Sequence, residues 1–313
     1  MKFNQLTAAA MLSAAALSAQ AGALPFGTQV QKTGSILIDL TGDGTSEYAL
    51  DLSGLMGHSS STGDVFLTAP TTSVNDSTGL WSAATFTGAN GQLQNGLAWH
   101  SWQRVNGTVN NNGSLAPTDT SNPWAASFVV TMNGNVDPEL NYGFSVKNNT
   151  ASTQTYNMVF GESLVPTVSG AYNLSADIAG SVSSLLSSPG VSVNPATGST
   201  VQGLFLRRVS DGTFVNAGVN VGGAFSTTTS GVGTYPAMSA STTGTSGIDS
   251  FDYWEFRTQF TLTGGKDTFV ANGTAVLDVT PVPEPESISL VLAGGLALLC
   301  FVPQAFGGLL HLL

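Results

Sequence analysis

The sequence predicts an all-β protein, an antiparallel β-sandwich of jelly-roll-like kind, with a signal helix at the N-terminus and an apolar helix at the C-terminus. Three observations predict it. Polar and apolar residues alternate with period two in several segments. Turn residues (Gly, Asn, Ser, Thr) separate those segments at short intervals. No window between the two ends carries the repeat of a long amphipathic helix.

The alternation is clearest in three places. Leu140, Tyr142, Phe144 and Val146 alternate with Asn141, Gly143, Ser145 and Lys147. Tyr172, Leu174, Ala176, Ile178 and Val182 alternate with Asn173, Ser175, Asp177 and Ser181. Trp254, Phe256, Phe260 and Leu262 alternate with Glu255, Arg257, Gln259 and Thr261. A period of two puts one face in a core and the other in water, as in antiparallel sheets. Further strands are expected at 34–40, 47–52, 64–69, 80–87, 97–105, 125–132, 154–162, 201–209, 213–220 and 274–280. Ile178–Leu186 also reads as one or two helical turns. Asn106–Pro123, rich in Asn, and Ser226–Ser250, rich in Ser, Thr and Gly, read as long mobile loops.

The chain has 313 residues, and only 9% of them are charged, against roughly 25% in ordinary soluble domains. Its polarity comes from Ser, Thr, Asn and Gly, which make a hydrated surface with little charge. The net charge is -11. The few Lys and Arg residues are scattered, which argues against nucleic acid partners, since phosphate binding needs clustered cations. The single cysteine is Cys300. The segment 22–281 therefore has no cysteine with which to form a disulfide.

The two ends read as targeting segments. Met1 and Lys2 are followed by an apolar stretch from Leu6 to Leu17 and then by Ala19-Gln20-Ala21. A positive charge, a short apolar run and small residues at −3 and −1 make a secretory signal, with Ala19 and Ala21 at the cleavage site. Cleavage after Ala23 is the alternative. At the far end, Val282-Pro283-Glu284-Pro285-Glu286-Ser287 precedes an apolar run from Ile288 to Val302. Pro283 and Pro285 force an extended, unpaired backbone that a processing enzyme can grip. The apolar run falls short of the roughly 20 residues that span a bilayer. The organisation expected is a signal peptide at 1–21, a β-sandwich ectodomain of one or two subdomains at 22–281, and a sorting or anchor tail at 282–313.

Val282, Pro283, Glu284 and Pro285 before an apolar segment resemble the PEP-CTERM sorting signal of Gram-negative bacteria. The resemblance covers about a tenth of the chain and is strengthened by the signal peptide at the other end. It implies processing by an exosortase-type enzyme, transient anchoring in the inner membrane, and delivery to the envelope, the outer surface or the exopolysaccharide matrix. The family tail ends in a cluster of Arg or Lys, whereas here the last positive residue is Lys266. Basic residues hold such a tail on the cytoplasmic side, so this chain departs from the pattern at its stop-transfer element.

Between the ends, Asp39-Leu40-Thr41-Gly42-Asp43-Gly44-Thr45-Ser46-Glu47 is the best local motif. Two readings of it stand side by side. Asp39, Thr41, Asp43 and Glu47 present oxygen ligands around a glycine turn and suit a hard cation such as calcium. The same Gly-Asp-Gly run also serves as a plain hairpin turn. The aromatic residues Trp81, Trp99, Trp102 and Trp124 suit either a sugar-stacking platform or a core. Trp99 and Trp102 are three apart, so on one strand they face opposite ways. Trp254 sits in a clean inward alternation and belongs to the core.

The supply of catalytic groups is thin. His58 and His100 are the histidines of 22–281, and Glu162 and Glu255 are available carboxylates that nothing in the sequence pairs. No Gly-x-Ser-x-Gly elbow, Walker loop or His-Glu-x-x-His motif occurs. The leading expectation is therefore a non-enzymatic structural or adhesive matrix protein. A carbohydrate-binding module acting on exopolysaccharide is the alternative, and a secreted hydrolase a third reading.

Overall fold

A computed structural model describes residues 32–59, 64–89, 91–105, 123–135, 138–185, 190–228, 230–247 and 249–279. The signal segment with Ala19 and Ala21, most of the Asn106–Pro123 stretch, and the tail with Val282, Pro283, Glu284 and Pro285 lie outside the described residues. The described residues through Asp278 belong to one compact unit; of 279–313, only Val279 is described.

In chain order the strands are β1 (Lys32–Asp39), β2 (Tyr48–Asp51), β3 (Met56–His58), β4 (Val65–Leu67), β5 (Val74–Asn75) and β6 (Gly79–Thr87). Then come β7 (Leu93–Ser101), β8 (Ala126–Asn135), β9 (Glu139–Asn148), β10 (Gln154–Val168), β11 (Ala171–Ser184) and β12 (Ser192–Pro195). The last six are β13 (Gln202–Arg208), β14 (Phe214–Val221), β15 (Phe225–Ser226), β16 (Gly231–Thr245), β17 (Phe251–Leu262) and β18 (Asp267–Val279). Among the described residues a single 3-10 turn, Ser53–Leu55, interrupts them.

The strands form two antiparallel sheets in a sandwich-like arrangement. Sheet A runs β14-β13-β17-β10-β1-β2, with β12 bridging β15 and β17. Sheet B runs β16-β11-β18-β9-β8-β7-β6-β5, with β3 and β4 joined to it through β8. From β9 onward the chain changes sheet repeatedly: β10 is in A, β11 in B, β12 to β15 in A, β16 in B, β17 in A and β18 in B. Consecutive strands therefore often face each other across the core instead of pairing.

The alternations read from sequence set the core. On β9, Leu140, Tyr142, Phe144 and Val146 point inward; on β17, Trp254, Phe256, Phe260 and Leu262 do the same, and each is at most 3% exposed. They meet across the gap between the sheets. The rings of Tyr142 and Phe256 lie 4.1 Å apart, and those of Phe144 and Phe260 stack at 5.5 Å. Tyr156 and Phe269 close the cluster around Phe260 at 5.4 and 5.1 Å. Each such side chain contributes roughly 1.5–3 kcal/mol through burial, which supplies stability in a cysteine-free span.

Two expectations are corrected. Ser226–Ser250 is not a loop: it holds the end of β15 and the 15-residue strand β16, paired with β11 from Ala171↔Thr245 to Ser184↔Gly231. Threonine is β-branched and suits an extended backbone, and β16 is an outermost strand with much of its length wet, so it needs no apolar alternation. Tyr235, wholly buried, is its main inward anchor. The described part of Ile178–Leu186, up to Leu185, is not helical either. Strand β11 continues to Ser184, with Gly180 through Ser184 in register with Tyr235 through Gly231.

Candidate functional site

The acidic motif forms the loop between β1 and β2, which pair from Ser35↔Asp51 to Ile38↔Tyr48. Asp39 organises it. One carboxylate oxygen accepts the backbone N–H groups of Thr41 at 3.0 Å and Gly42 at 2.6 Å; the other accepts that of Gly44 at 2.8 Å. Gly42 and Gly44 adopt φ of 74° and 89°, which lets the amides turn toward one acceptor. Glu47 closes the loop by accepting the Leu40 N–H at 2.6 Å and the Thr41 hydroxyl at 3.2 Å. Burial acts to raise the Asp39 pKa, but the N–H bonds from Gly44, Gly42 and Thr41 outweigh it and hold the carboxyl below its ordinary value. Asp39, Asp43 and Glu47 bring carboxylate oxygens within 4.8 Å of one another. Oxygens that share one Ca²⁺ at about 2.3–2.6 Å fall within that spacing. The turn reading holds: the segment is a hairpin loop whose Asp39 and Glu47 accept its own N–H groups, and it also brings the carboxylates of Asp39, Asp43 and Glu47 together.

Of the two readings of Trp81, Trp99, Trp102 and Trp124, the stacking platform is corrected and the core reading stands. They are 7%, 0%, 4% and 6% exposed, so none presents a ring face to a ligand. Trp99 lies in the main core, stacked on Phe128 at 5.4 Å and met edge-on by Tyr48 at 4.9 Å. Trp102 belongs to a separate small cluster with Leu80 and Trp124, consistent with its facing away from Trp99. Asp76, which sequence reasoning missed, ties the two systems together. Its carboxylate accepts the Trp81 indole N–H at 2.6 Å, and its carbonyl accepts that of Trp102 at 2.7 Å.

The possible catalytic groups do not converge. Glu162 is on the inner face of sheet A, 2% exposed, accepting the Trp254 indole N–H at 3.2 Å. Glu255 follows Trp254 on β17 and therefore sits on the outer face, paired with Arg257. The sheet separates the two carboxylates, so they cannot flank one bond. His58 is exposed on β3. The His100 ring packs over Trp124 at 5.9 Å, and burial, with Arg104 and Lys147 nearby, lowers its pKa.

The most developed surface is the outer face of sheet A across β17, β13 and β14. Pairing lays its outward side chains in rows. Tyr253, Arg207 and Phe214 form one row; Glu255, Phe205 and Asn216 the next; Arg257, Gly203 and Asn220 the third. Arginine and aromatic groups interleave. The Arg257 guanidinium stands 4.0 Å over the Phe205 ring, and that of Arg207 stands 4.8 Å over Tyr253. Arg207 also holds Asp252 with two bonds of 2.9 and 3.1 Å. In the third row Gly203 has no side chain, which leaves a depression. Thr197–Gly203, Phe205, Asn216, Asn220, Arg257 and Gln259 line it, and it encloses about 330 Å³. A Cβ on Gly203 would sit 2.9 Å from Asn220 Oδ1 and 3.3 Å from the Phe205 ring.

Asn216 Nδ2 donates to Asn220 Oδ1 at 3.1 Å, and the Thr197 hydroxyl donates to Gln259 Oε1 at 2.7 Å. The groove thus holds amides and hydroxyls beside one aromatic wall. Part of this was readable: the alternation around Trp254 already puts Glu255, Arg257 and Gln259 on the wet face. Their juxtaposition with Phe205, Asn216 and Asn220 follows from strand order, which the sequence does not display.

No protein-family model matches the chain, and no curated protein matches it. Among solved structures it is similar, at 11% identity and TM-score 0.25, to one described under the promiscuous specificity of carbohydrate-binding modules from the beta-sandwich super family; the overlap covers 82% of this chain and 88% of that one. A structure of infectious bursal disease virus Gt strain overlaps 84% of this chain and 63% of that one, at 11% identity and TM-score 0.15. The sandwich assignment rests on the strand pairing of the chain itself: all-β, two antiparallel sheets, one shared core.

Proposed function

We propose that the chain is an exported structural or adhesive protein of the cell surface or exopolysaccharide matrix, sorted through its PEP-CTERM-like tail and working by contact instead of catalysis. The observation that supports the contact role is the outer face of sheet B. There Asn173, Ser175 and Asp177 stand opposite Thr243, Ser241 and Ser239. A depression of about 340 Å³ runs over Ser175, Asp177, Ser239, Ser241 and Thr274. Short hydroxyl and amide side chains hydrate strongly, lose little rotamer entropy on contact, and suit a surface immersed in polymer. The changes of sheet from β9 to β18 support the jelly-roll-like connection within the sandwich class. Exosortase and, before processing, the inner membrane are the partners this reading requires.

The test is processing and location. In a host carrying a matching exosortase, the wild-type chain is expected at the surface with both ends removed. Changing Pro283 and Pro285 to Ala should leave the tail uncut. An unchanged mature mass for that double variant, or recovery of the wild-type chain in the cytoplasm, overturns the sorting reading.

A further inference from the structure

We infer that the groove over Gly203 on the outer face of sheet A is a binding site for a neutral saccharide, a segment of one or two pyranose units within a longer polymer. This deepens the matrix reading by naming where the ectodomain would grip its surroundings, and it rests on that reading for its biological setting only.

Four features converge on that ligand. First, the size fits: about 330 Å³ lies at the small end of ligand-binding cavities, which run from about 300 to 1,000 Å³. Second, the polar groups match in kind. Asn216 and Asn220 on one side and Gln259 and Thr197 on the other are groups that donate and accept, as sugar hydroxyls do. They are partly fixed by their own bonds, Asn216 to Asn220 and Thr197 to Gln259, so less ordering is needed when a ligand arrives. Third, the part of the Phe205 ring that Arg257 leaves uncovered borders the groove and supplies an apolar wall for pyranose C–H groups. Arg257 stacked on that ring fixes its position.

Fourth, charge selects against acidic polymers. The Arg257 guanidinium is already bonded to Glu255, whose side chain is only 8% exposed, so its charge is balanced within the sheet. The chain as a whole carries -11, and the long-range field therefore repels a polyanion. A peptide recognised by strand addition would use a strand edge and not the face of the sheet. Gly203 shapes the groove: without a side chain it lets Asn220 and Phe205 close in over its backbone, where a Cβ would push them apart. It lacks the positive φ of the turn glycines, so a β-branched residue fits its backbone, while the added Cβ presses on Asn220 Oδ1 and the Phe205 ring and displaces the groove's walls.

The experiment uses the full chain and titrates it, by calorimetry and ligand-observed NMR, with neutral gluco-, manno- and galacto-hexasaccharides and with an oligogalacturonate. At least one neutral oligomer is expected to bind with a dissociation constant at or below about 1 mM, and the acidic one more weakly. Gly203→Val, and separately Asn216→Ala with Asn220→Ala, should each weaken that binding about tenfold or more. The melting temperature should stay within about 2 °C of wild type for the exposed Asn216/Asn220 pair, which keeps the test decisive if the glycine variant is unstable. The inference is overturned if no neutral oligomer binds, if the acidic oligomer or an unrelated peptide binds in preference, or if the Asn216/Asn220 variant binds like wild type. Location separates this from the sorting reading. A chain correctly placed at the surface but without saccharide affinity removes the groove alone. A chain that binds saccharide but never leaves the cytoplasm removes the sorting alone.

Discussion

Glu162 accepts the indole N–H of Trp254 at 3.2 Å inside the gap between the sheets, with its carboxyl group against Gly134 of the facing sheet. Burial is the main influence on that carboxyl. It raises the pKa to about 8, against the opposing hydrogen bond from Trp254 and with Asp64 nearby adding to the rise. The folded protein therefore keeps this proton at neutral pH, while the unfolded chain, with an ordinary value of 4.5, releases it.

The sign of the linkage follows. The stability associated with protonated Glu162 is fully present below about pH 4.5, declines as pH rises, and is lost by about pH 8. Glu162→Gln keeps an acceptor for the indole but has no proton to lose. It should be more stable than wild type by roughly 1–4 kcal/mol at pH 8.5 and close to it at pH 4. Urea unfolding at the two pH values measures this; parallel pH profiles for the two proteins would exclude the carboxyl as the source.

Asp39 behaves in the opposite sense. Its folded pKa is held below the ordinary 3.8 by the backbone amides it accepts. That stabilisation is present above pH 3.8 and is lost as pH falls through the lower folded value. Asp39→Asn puts an NH₂ group where one oxygen must accept an amide. It should cost about 1–3 kcal/mol at neutral pH and flatten the acid limb of the stability curve. Thermal melts from neutral pH down into the acid range resolve both effects.

The close approach of Asp39, Asp43 and Glu47 makes the calcium reading testable. Calcium at about 2 mM, in the range that extracellular modules use, should raise the melting temperature by about 2–4 °C, and a chelator should reverse it. Asp43→Asn should remove most of the response, since Asp43 contributes charge to the cluster while Asp39 carries most of the loop's bonds. A melting temperature indifferent to both calcium and chelator would show that the loop closes on its own hydrogen bonds alone.

Phe260 is wholly buried and touches rings from both sheets, Phe144, Tyr156 and Phe269. Phe260→Ala should cost about 3–5 kcal/mol through lost burial and the cavity left behind. Leu93, 71% exposed on β7, is the contrast, and its change to Ala should stay within about 0.5 kcal/mol. Denaturant midpoints of the two variants check the pair.

The all-β class and most strands were legible because the inward rows of β9, β11 and β17 each bury large side chains on one face only. Strand β16 was illegible for the converse reason: Thr242, Thr243 and Ser241 are at home in an extended backbone, but an outermost strand wet along much of its length shows no period. The acidic loop was readable as a motif, and the structure adds that Asp39 is consumed largely by backbone amides. The tryptophans were readable as either core or platform, since both uses favour a flat apolar ring and only burial separates them. The groove over Gly203 was hidden because its walls come from β13, β14, β17 and the turn at Thr197–Thr200. Adjacency of such distant segments depends on pairing, not on local pattern.

Strand β16 has one more consequence. It closes one side of sheet B, and an outermost strand of that length is a template on which another chain can polymerise. Pro236 lies inside the irregularity between Tyr235 and Met238 and removes a donor from the outer backbone. Strand β14 of the opposite sheet lies beside it, with Gly218 next to Thr242 and the Gly223 amide reaching the Met238 sulfur at 3.2 Å. At the other limits the sheets end in short strands, β5 and β2. Among the described residues no long continuous edge is left for copies to zip onto, and crowding many of them together should yield a hydrated layer of separate units instead of a fibril.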